Sequence, residues 1–373
     1  MTVRNIKLRH YRNFLSAELV PSEYTTVLYG LNGAGKTNIV EAVHLCAVGR
    51  SHRPVKDHEL ILRGQDAAAV TVNSLRHDGT HEVSVRLFAN EPKKKQILLN
   101  GKAPRRLGEM MGHVTCVIFS PEDLDLIKGG PSCRRRFMDM LLCQQSAAYF
   151  YELQKYIASL SQRNALLRSV KGNAGHSAVK MLPVWEEQLQ KAGAMIIETR
   201  MVFAEALEKL VTEHYRYLCG PDREAIVLRY RASTDKKADI KAALSEGFDK
   251  TRAEDIKRGI TTFGPHREDI ILTLEGRDMR TFASQGQIRA AALSMKLSEI
   301  SLLTRKHAEA PILLLDDVMS ELDMKRRALL MDFIKGIQTI VTCTDASDFP
   351  EGKTDMRLHV VAAKNGGATL ETV

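Results

Sequence analysis

Thr26-Val27-Leu28-Tyr29 is followed by Gly30-Leu31-Asn32-Gly33-Ala34-Gly35-Lys36-Thr37 and then by Asn38-Ile39-Val40-Glu41-Ala42-Val43. An apolar strand, a glycine-rich turn and an amphipathic helix thus come in direct succession. The turn reads G-x-x-x-x-G-K-[ST], and a strand before it with a helix after it is the context in which that pattern binds phosphate. Its glycines let the backbone bend until N–H groups face an anion, and the helix amino end adds positive potential. Lys36 can reach the β- and γ-phosphates of a nucleotide, and the Thr37 hydroxyl can ligate Mg²⁺. Gly30, Leu31, Asn32, Gly33, Ala34, Gly35, Lys36 and Thr37, with the adjacent Asn38, are therefore the expected nucleotide-binding residues of an α/β fold.

A second strand completes that chemistry. Pro311-Ile312-Leu313-Leu314-Leu315-Asp316-Asp317 is a dense apolar run ending in two carboxylates. Such a run reads as a buried parallel strand, whose carboxyl end is where ligands bind in open α/β sheets. Asp316 is the expected Mg²⁺-facing acid, with Thr37 as the other metal group. Asp317 is placed to orient or deprotonate an attacking water, with Lys36 as its catalytic companion. Thr37 and Asp316 stand 279 residues apart. Ras-like GTPases and small-molecule kinases keep these elements much closer, so a large insertion must lie within the ATPase sheet.

The intervening sequence has the character of such an insertion. Residues 1–125 read as short strands broken by turns, with hairpin signals at Asp78-Gly79 and Asn100-Gly101. From Arg134 to about Leu218 the apolar spacing is helical, with a loop at Lys171–Gly175 and Pro183 suited to a first helical turn. Two long helices joined by a short loop suggest an antiparallel arm. A strand follows near Ala225–Tyr230, then a charged helix near Asp239–Phe248, and strand–helix alternation resumes from Ile270. The expected layout is a head made of 1–125 and 261–373 with a helical arm, 126–260, inserted.

Lysine and arginine exceed aspartate and glutamate by 54 to 45, a formal net charge of +9. By segment the net charge is +4 over 1–125, +7 over 126–260 and −2 over 261–373. A balance this basic favours a phosphate-rich partner. Thr2–Phe14 reads as a first strand rather than a signal peptide, and no long apolar run could span a membrane. The six cysteines form no Cys-x-x-Cys pair. Their scatter argues against zinc and disulfides and predicts reduced thiols in a cytoplasm.

Ser284-Gln285-Gly286-Gln287 precedes a long helix, so its residues can bind an anion at a helix amino end. Phosphate loop, helical insertion, this S-x-G-Q, the acidic strand and Ser320-Glu321-Leu322-Asp323 follow in an order that resembles ABC-type ATPases. Further stretches are similar to the RecF family of SMC-like bacterial repair proteins and cover nearly the whole chain. They are Tyr11-Arg12-Asn13-Phe14, Phe119–Leu124, Pro131–Asp139 and Gly264-Pro265-His266-Arg267-Glu268-Asp269. The resemblance implies an ABC-type ATPase head with a mixed sheet and flanking helices, and a head-to-tail homodimer closing over two ATP molecules. Ser284 and Gly286 would then contact the γ-phosphate held by the opposite subunit, with Gln287 beside them in the ATP site. It also implies double-stranded DNA binding at gaps or junctions, slow DNA-stimulated hydrolysis, and cooperation with RecR and RecO to load RecA. Asp317 stands where transporter-type ABC proteins carry glutamate, and Thr342-Cys343-Thr344-Asp345 where they carry a switch histidine, which suggests slow turnover.

Lys93, Lys94, Lys95, Lys102, Arg105 and Arg106 cluster around the Asn100-Gly101 turn and are the expected DNA contacts. Phosphate contacts of this kind give affinity without sequence preference and weaken as salt rises. One tryptophan and 6% aromatics offer little for base stacking, favouring a duplex backbone. Arg134–Arg136 could approach ATP, tie the arm to the head or bind DNA, and His266-Arg267 could be functional or a structural turn. The alternatives are an ATPase coupled to a membrane or other protein partner and a P-loop phosphotransferase. The missing switch histidine and the 279-residue separation speak against them.

Overall fold

The computed structural model of the chain describes every residue except 92–93, 221–224, 236–238, 347–348, 350–353, 363–366 and 373. The chain forms two compact units, Met1–Asp123 with Lys296–Val373, and Leu124–Met295. The first segment supplies β1 (Thr2–Tyr11), β2 (Phe14–Leu19), β3 (Thr25–Tyr29), α1 (Lys36–Val48), β4 (Ala67–Arg76), β5 (Gly79–Phe88), β6 (Lys95–Leu99) and β7 (Cys116–Phe119). The second unit holds α2 (Asp125–Lys128), α3 (Pro131–Gln145), α4 (Ala147–Ser169), α5 (Leu182–Cys219), β8 (Ile226–Arg231) and α6 (Ile240–Arg258). It continues with β9 (Asp269–Leu274), β10 (Arg277–Asp278), α7 (Met279–Phe282) and the start of α8 (Gln285–His307). The chain returns to the first unit for β11 (Ile312–Asp316), α9 (Met324–Phe333), β12 (Thr339–Cys343), β13 (Met356–Ala362) and β14 (Ala368–Thr372).

Two sheets build the first unit. One is antiparallel, in the order β2-β1-β4-β5-β6. Its alternation is plain in β4, where Ala68, Val70, Val72 and Ser74 are buried between less buried neighbours. The turn after β6 is Asn100-Gly101, both at positive φ and bracketed by Leu99–Lys102 backbone bonds, as the Asn-Gly dipeptide predicts. The other sheet runs β14-β13-β3-β12-β11-β7 and is parallel except for β14. Every residue of β11 is buried, as a parallel strand covered on both faces requires. Because β3, β12 and β11 are parallel neighbours, the phosphate loop and the two aspartates emerge at the same sheet end.

In the second unit α4 and α5 pack as a helical pair, with Ser159 Oγ donating to Gln188 3.0 Å away. The strands form a small antiparallel sheet, β10-β9-β8, with Leu228 opposite Leu272. That pairing holds 261–295 in the second unit, whereas the sequence reading assigned 261 onward to the head. A polar core ties the helices together. Arg163 is fully buried, 2.7 Å from both Glu186 and Asp255, with Thr261 Oγ1 at 2.8 Å. Arg200 reaches Asp139 at 2.6 Å, Glu268 at 3.2 Å and the Pro265 carbonyl at 2.8 Å. Arg134 makes a two-pronged pair with Asp269 at 2.8 and 2.9 Å.

Candidate nucleotide site

The phosphate loop takes its shape from glycines at positive φ. Gly30, Gly33 and Gly35 have φ of 144°, 83° and 119°. A Cβ on Gly30 would lie 2.4 Å from the Val360 carbonyl oxygen, and one on Gly35 would lie 2.7 Å from Asn13 Oδ1. Both positions therefore exclude larger residues sterically as well as conformationally. Lys36 begins α1, is buried, and donates to the Gly30 carbonyl at 2.6 Å and the Leu31 carbonyl at 3.1 Å. Burial lowers its pKa, opposed by the nearby Asp317, Cys343 and Asp316.

The acidic strand arrives as its sequence predicts. Thr37 Oγ1 donates to Asp316 Oδ1 at 2.7 Å, and Thr342 Oγ1 donates to the same oxygen at 2.8 Å. A hydroxyl and a carboxylate this close are hard oxygen donors of the kind Mg²⁺ takes from a protein, with phosphate and water filling its other positions. Asp317 is exposed and adopts a left-handed backbone at φ 55°. Its N–H donates to Thr342 Oγ1 at 3.0 Å, and its carbonyl accepts from Ser320 Oγ at 2.9 Å. For a non-glycine residue that conformation costs about 1 kcal/mol, so these bonds hold a strained acid at the sheet edge.

The turn between β1 and β2 braces the loop. Asn13 Nδ2 donates to the Ala34 carbonyl at 2.9 Å, and Asn38 Nδ2 donates to Asn13 Oδ1 at 2.9 Å. Arg12, at φ 53°, grips the buried Glu41 of α1 at 2.7 and 2.8 Å, and Ser51 Oγ donates to the same carboxylate. Burial alone would raise the Glu41 carboxyl, but the bonds from Arg12 and Ser51 hold it below its ordinary value. Sequence reading gave Arg12, Asn13 and Glu41 no role of their own. The available signal was an acid set directly among Ile39, Val40, Ala42 and Val43, which needs a cation if that stretch is buried.

In the second unit, Ser284 stands at the amino end of α8. The Gln287 N–H donates to Ser284 Oγ at 3.3 Å, and the Ser284 N–H donates to Gln287 Oε1 at 2.7 Å. This is a reciprocal capping box, so S-x-x-Q has a local folding role beside any ligand role. Ser284 is exposed, and Gly286 lies in the first turn of the helix.

The other candidates divide. Lys94, Lys102, Arg105 and Arg106 are exposed, while Lys95 is engaged with Asp57 and the Gly49 carbonyl, each at 2.8 Å. Lys93 lies outside the described residues. Arg134 serves the buried pair with Asp269, and Arg135 donates to the Glu268 carbonyl at 2.7 Å. His266 Nε2 and Arg267 both meet the Thr261 carbonyl, and His266 Nδ1 meets the Tyr156 hydroxyl at 2.7 Å. Burial lowers the His266 pKa to about 4. Gly264, at φ 119°, passes so close to Tyr156 that a Cβ would lie 2.7 Å from its hydroxyl. The Gly264–Arg267 segment is thus a packed turn.

Comparison with known proteins agrees with this geometry. A family model described as the RecF/RecN/SMC N terminal domain matches residues 2–367. The DNA replication and repair protein RecF of Lachnoclostridium phytofermentans is 40% identical over 355 residues, covering 95% of this chain and 96% of that relative. The chain belongs to the RecF family. RecF of an Exiguobacterium species is 38% identical over 379 residues, with both chains covered completely. A solved structure of "the recombination mediator protein RecF-ATPrS in RecFOR pathway" superimposes with a TM-score of 0.90 at 32% identity, covering 100% of this chain and 98% of that one. The Smc head domain of Pyrococcus furiosus shares the fold, with a TM-score of 0.56 at 15% identity over 100% of this chain and 96% of its own. The ABC-type ATPase head with a long helical insertion, expected from the motif order, is borne out. Among the described residues no helix is long and apolar enough to cross a membrane.

Proposed function

We propose that the chain is an ATP-gated, duplex-DNA-binding ATPase of recombinational gap repair, working in the cytoplasm. Two copies close head to tail over two ATP molecules with Mg²⁺, hydrolyse them slowly, and help RecR and RecO load RecA. The observation that carries the nucleotide part is the 2.7 Å bond from Thr37 Oγ1 to Asp316 Oδ1, which joins the two halves of a phosphate site across 279 residues. Thr37 and Asp316 would hold Mg²⁺, Lys36 the β- and γ-phosphates, and Asp317 the attacking water. A solved relative in a RecF-ATP form, 32% identical, supports ATP as the nucleotide.

Exposed apolar side chains support the dimer. Leu31 of the phosphate loop is 78% exposed, Met324 at the start of α9 is 87% exposed, and Phe282, two residues before Ser284, is 66% exposed. Large apolar groups beside three nucleotide motifs are what a docked second copy would cover. The net charge of +9 and the exposed Lys94, Lys102, Arg105 and Arg106 support duplex phosphates as the DNA contact.

Light scattering with ATP tests the closure. The wild-type chain is expected to double in mass with ATP and stay monomeric with ADP. Ser284→Arg is expected to bind ATP and remain a monomer. An ATP-induced dimer in that variant would contradict the role of Ser284 across the interface.

A further inference from the structure

Strand β12 lies between the strand that feeds the phosphate loop and the strand that ends in the two aspartates. Its carboxyl end and the residue that follows it therefore reach both neighbours. The Thr344 carbonyl accepts from the Gly30 N–H at 3.3 Å, which fastens the start of the phosphate loop. Thr342 faces the other way. Its hydroxyl donates to Asp316 Oδ1 at 2.8 Å and accepts from the Asp317 N–H at 3.0 Å.

These two bonds use one hydroxyl in both of its capacities, as donor and as acceptor. Thr342 is 1% exposed, so water cannot replace either contact without rearrangement. Asp316 takes two hydroxyl donors on one oxygen, from Thr37 and Thr342, which fixes the plane of its carboxylate. Asp317 sits in a left-handed backbone, which an aspartate tolerates better than most non-glycine residues but which still costs about 1 kcal/mol, and its N–H and carbonyl are both tied down there. Thr342 holds the N–H. The same oxygen atom thus sets the direction of one aspartate and the backbone of the next.

We infer that Thr342 is a positioning residue for hydrolysis, coupling the metal-facing Asp316 to the water-facing Asp317. Valine at this position keeps the shape and removes the hydroxyl. Asp316 then loses a donor that fixes its carboxylate, and Asp317 loses the acceptor that holds its backbone. Neither loss touches the glycine cradle or Lys36, which bind the phosphates. Nucleotide affinity and turnover therefore separate. A serine hydroxyl can make both bonds, so Thr342→Ser restores what valine removes.

The inference rests on the ATPase reading above, and the experiment separates the two. Wild type, Thr342→Val and Thr342→Ser are compared by binding of a fluorescent ATP analogue with and without Mg²⁺, by single-turnover hydrolysis across a Mg²⁺ titration, and by thermal melting. Thr342→Val is expected to bind the analogue without Mg²⁺ within about threefold of wild type, to hydrolyse at least about tenfold more slowly, and to need more Mg²⁺ for half-maximal rate. Thr342→Ser is expected within about threefold of wild type in rate. Wild-type turnover in Thr342→Val, or a serine variant as slow as the valine one, would overturn the positioning role. So would a valine variant whose Mg²⁺-free ATP affinity or melting temperature falls in step with its rate, because that marks a purely structural residue. A wild-type chain that neither binds nor hydrolyses ATP overturns the parent reading and this role with it.

Discussion

Arg163 and Lys36 are both buried cations in recognisable surroundings, yet their partners differ in kind. Arg163 in the second unit is matched by two carboxylates, Glu186 and Asp255, at 2.7 Å each. Arg200 and Arg134 are likewise met by Asp139, Glu268 and Asp269. Among the described residues, Lys36 in the first unit donates to the Gly30 and Leu31 carbonyls of its own loop, and Asp316 and Asp317 stand at the same sheet end. The three arginines are satisfied by carboxylates, as Arg12 is by Glu41 in the first unit, whereas Lys36 is held by loop carbonyls. A charged residue within a sequence motif is therefore not a ligand group by that fact alone; the partners of its charge decide.

Breaking the internal set is expected to give the largest effect. Arg163→Met leaves Asp255 buried without its cation, while Glu186 keeps Arg252 at 2.5 Å, and should destabilise the second unit by about 3 kcal/mol in urea unfolding. Folded variant should still bind ATP. Loss of ATP affinity with no loss of stability would erase the distinction between the regions.

Acid should expose the same contrast more gently. His266 has its pKa lowered from 6.5 to about 4 by burial, so the fold favours the neutral ring. Its contribution is complete above pH 6.5 and is lost as pH falls from 6.5 toward 4. Wild type should lose up to about 3 kcal/mol more over that range than His266→Gln, which cannot titrate there. Equal pH profiles for the two chains would mean that the turn around Thr261 does not depend on a neutral imidazole.

Surface charge should matter least for stability and chiefly through salt. Lys102→Ala and Arg105→Ala should each weaken duplex binding severalfold and lower the salt slope by about one, while Lys95→Ala, whose amine serves Asp57, should leave the slope alone. A slope change at Lys95 alone would move the DNA face elsewhere.

The phosphate loop and acidic strand were legible because their chemistry is local: glycines at fixed spacing and an apolar run ending in acids. The Asn100-Gly101 turn was legible for the same reason. The roles of Arg134 and His266 were not, because each depends on a partner more than 100 positions away, Asp269 and Tyr156 respectively. Position 342 was visible as a departure from the switch histidine, but its hydroxyl bonds needed the strand order β3-β12-β11. The unit boundary was missed at 261 because β9 carries no sequence mark saying that its neighbour is β8.

ATP is proposed to gate the grip on duplex DNA. The most direct test is duplex binding across a salt series with ATP, ADP and no nucleotide, in wild type and Lys36→Met. Tight, salt-sensitive binding only with ATP, and lost in Lys36→Met, is the predicted result. Binding that is the same in all three nucleotide conditions, or unchanged in the variant, would contradict the account.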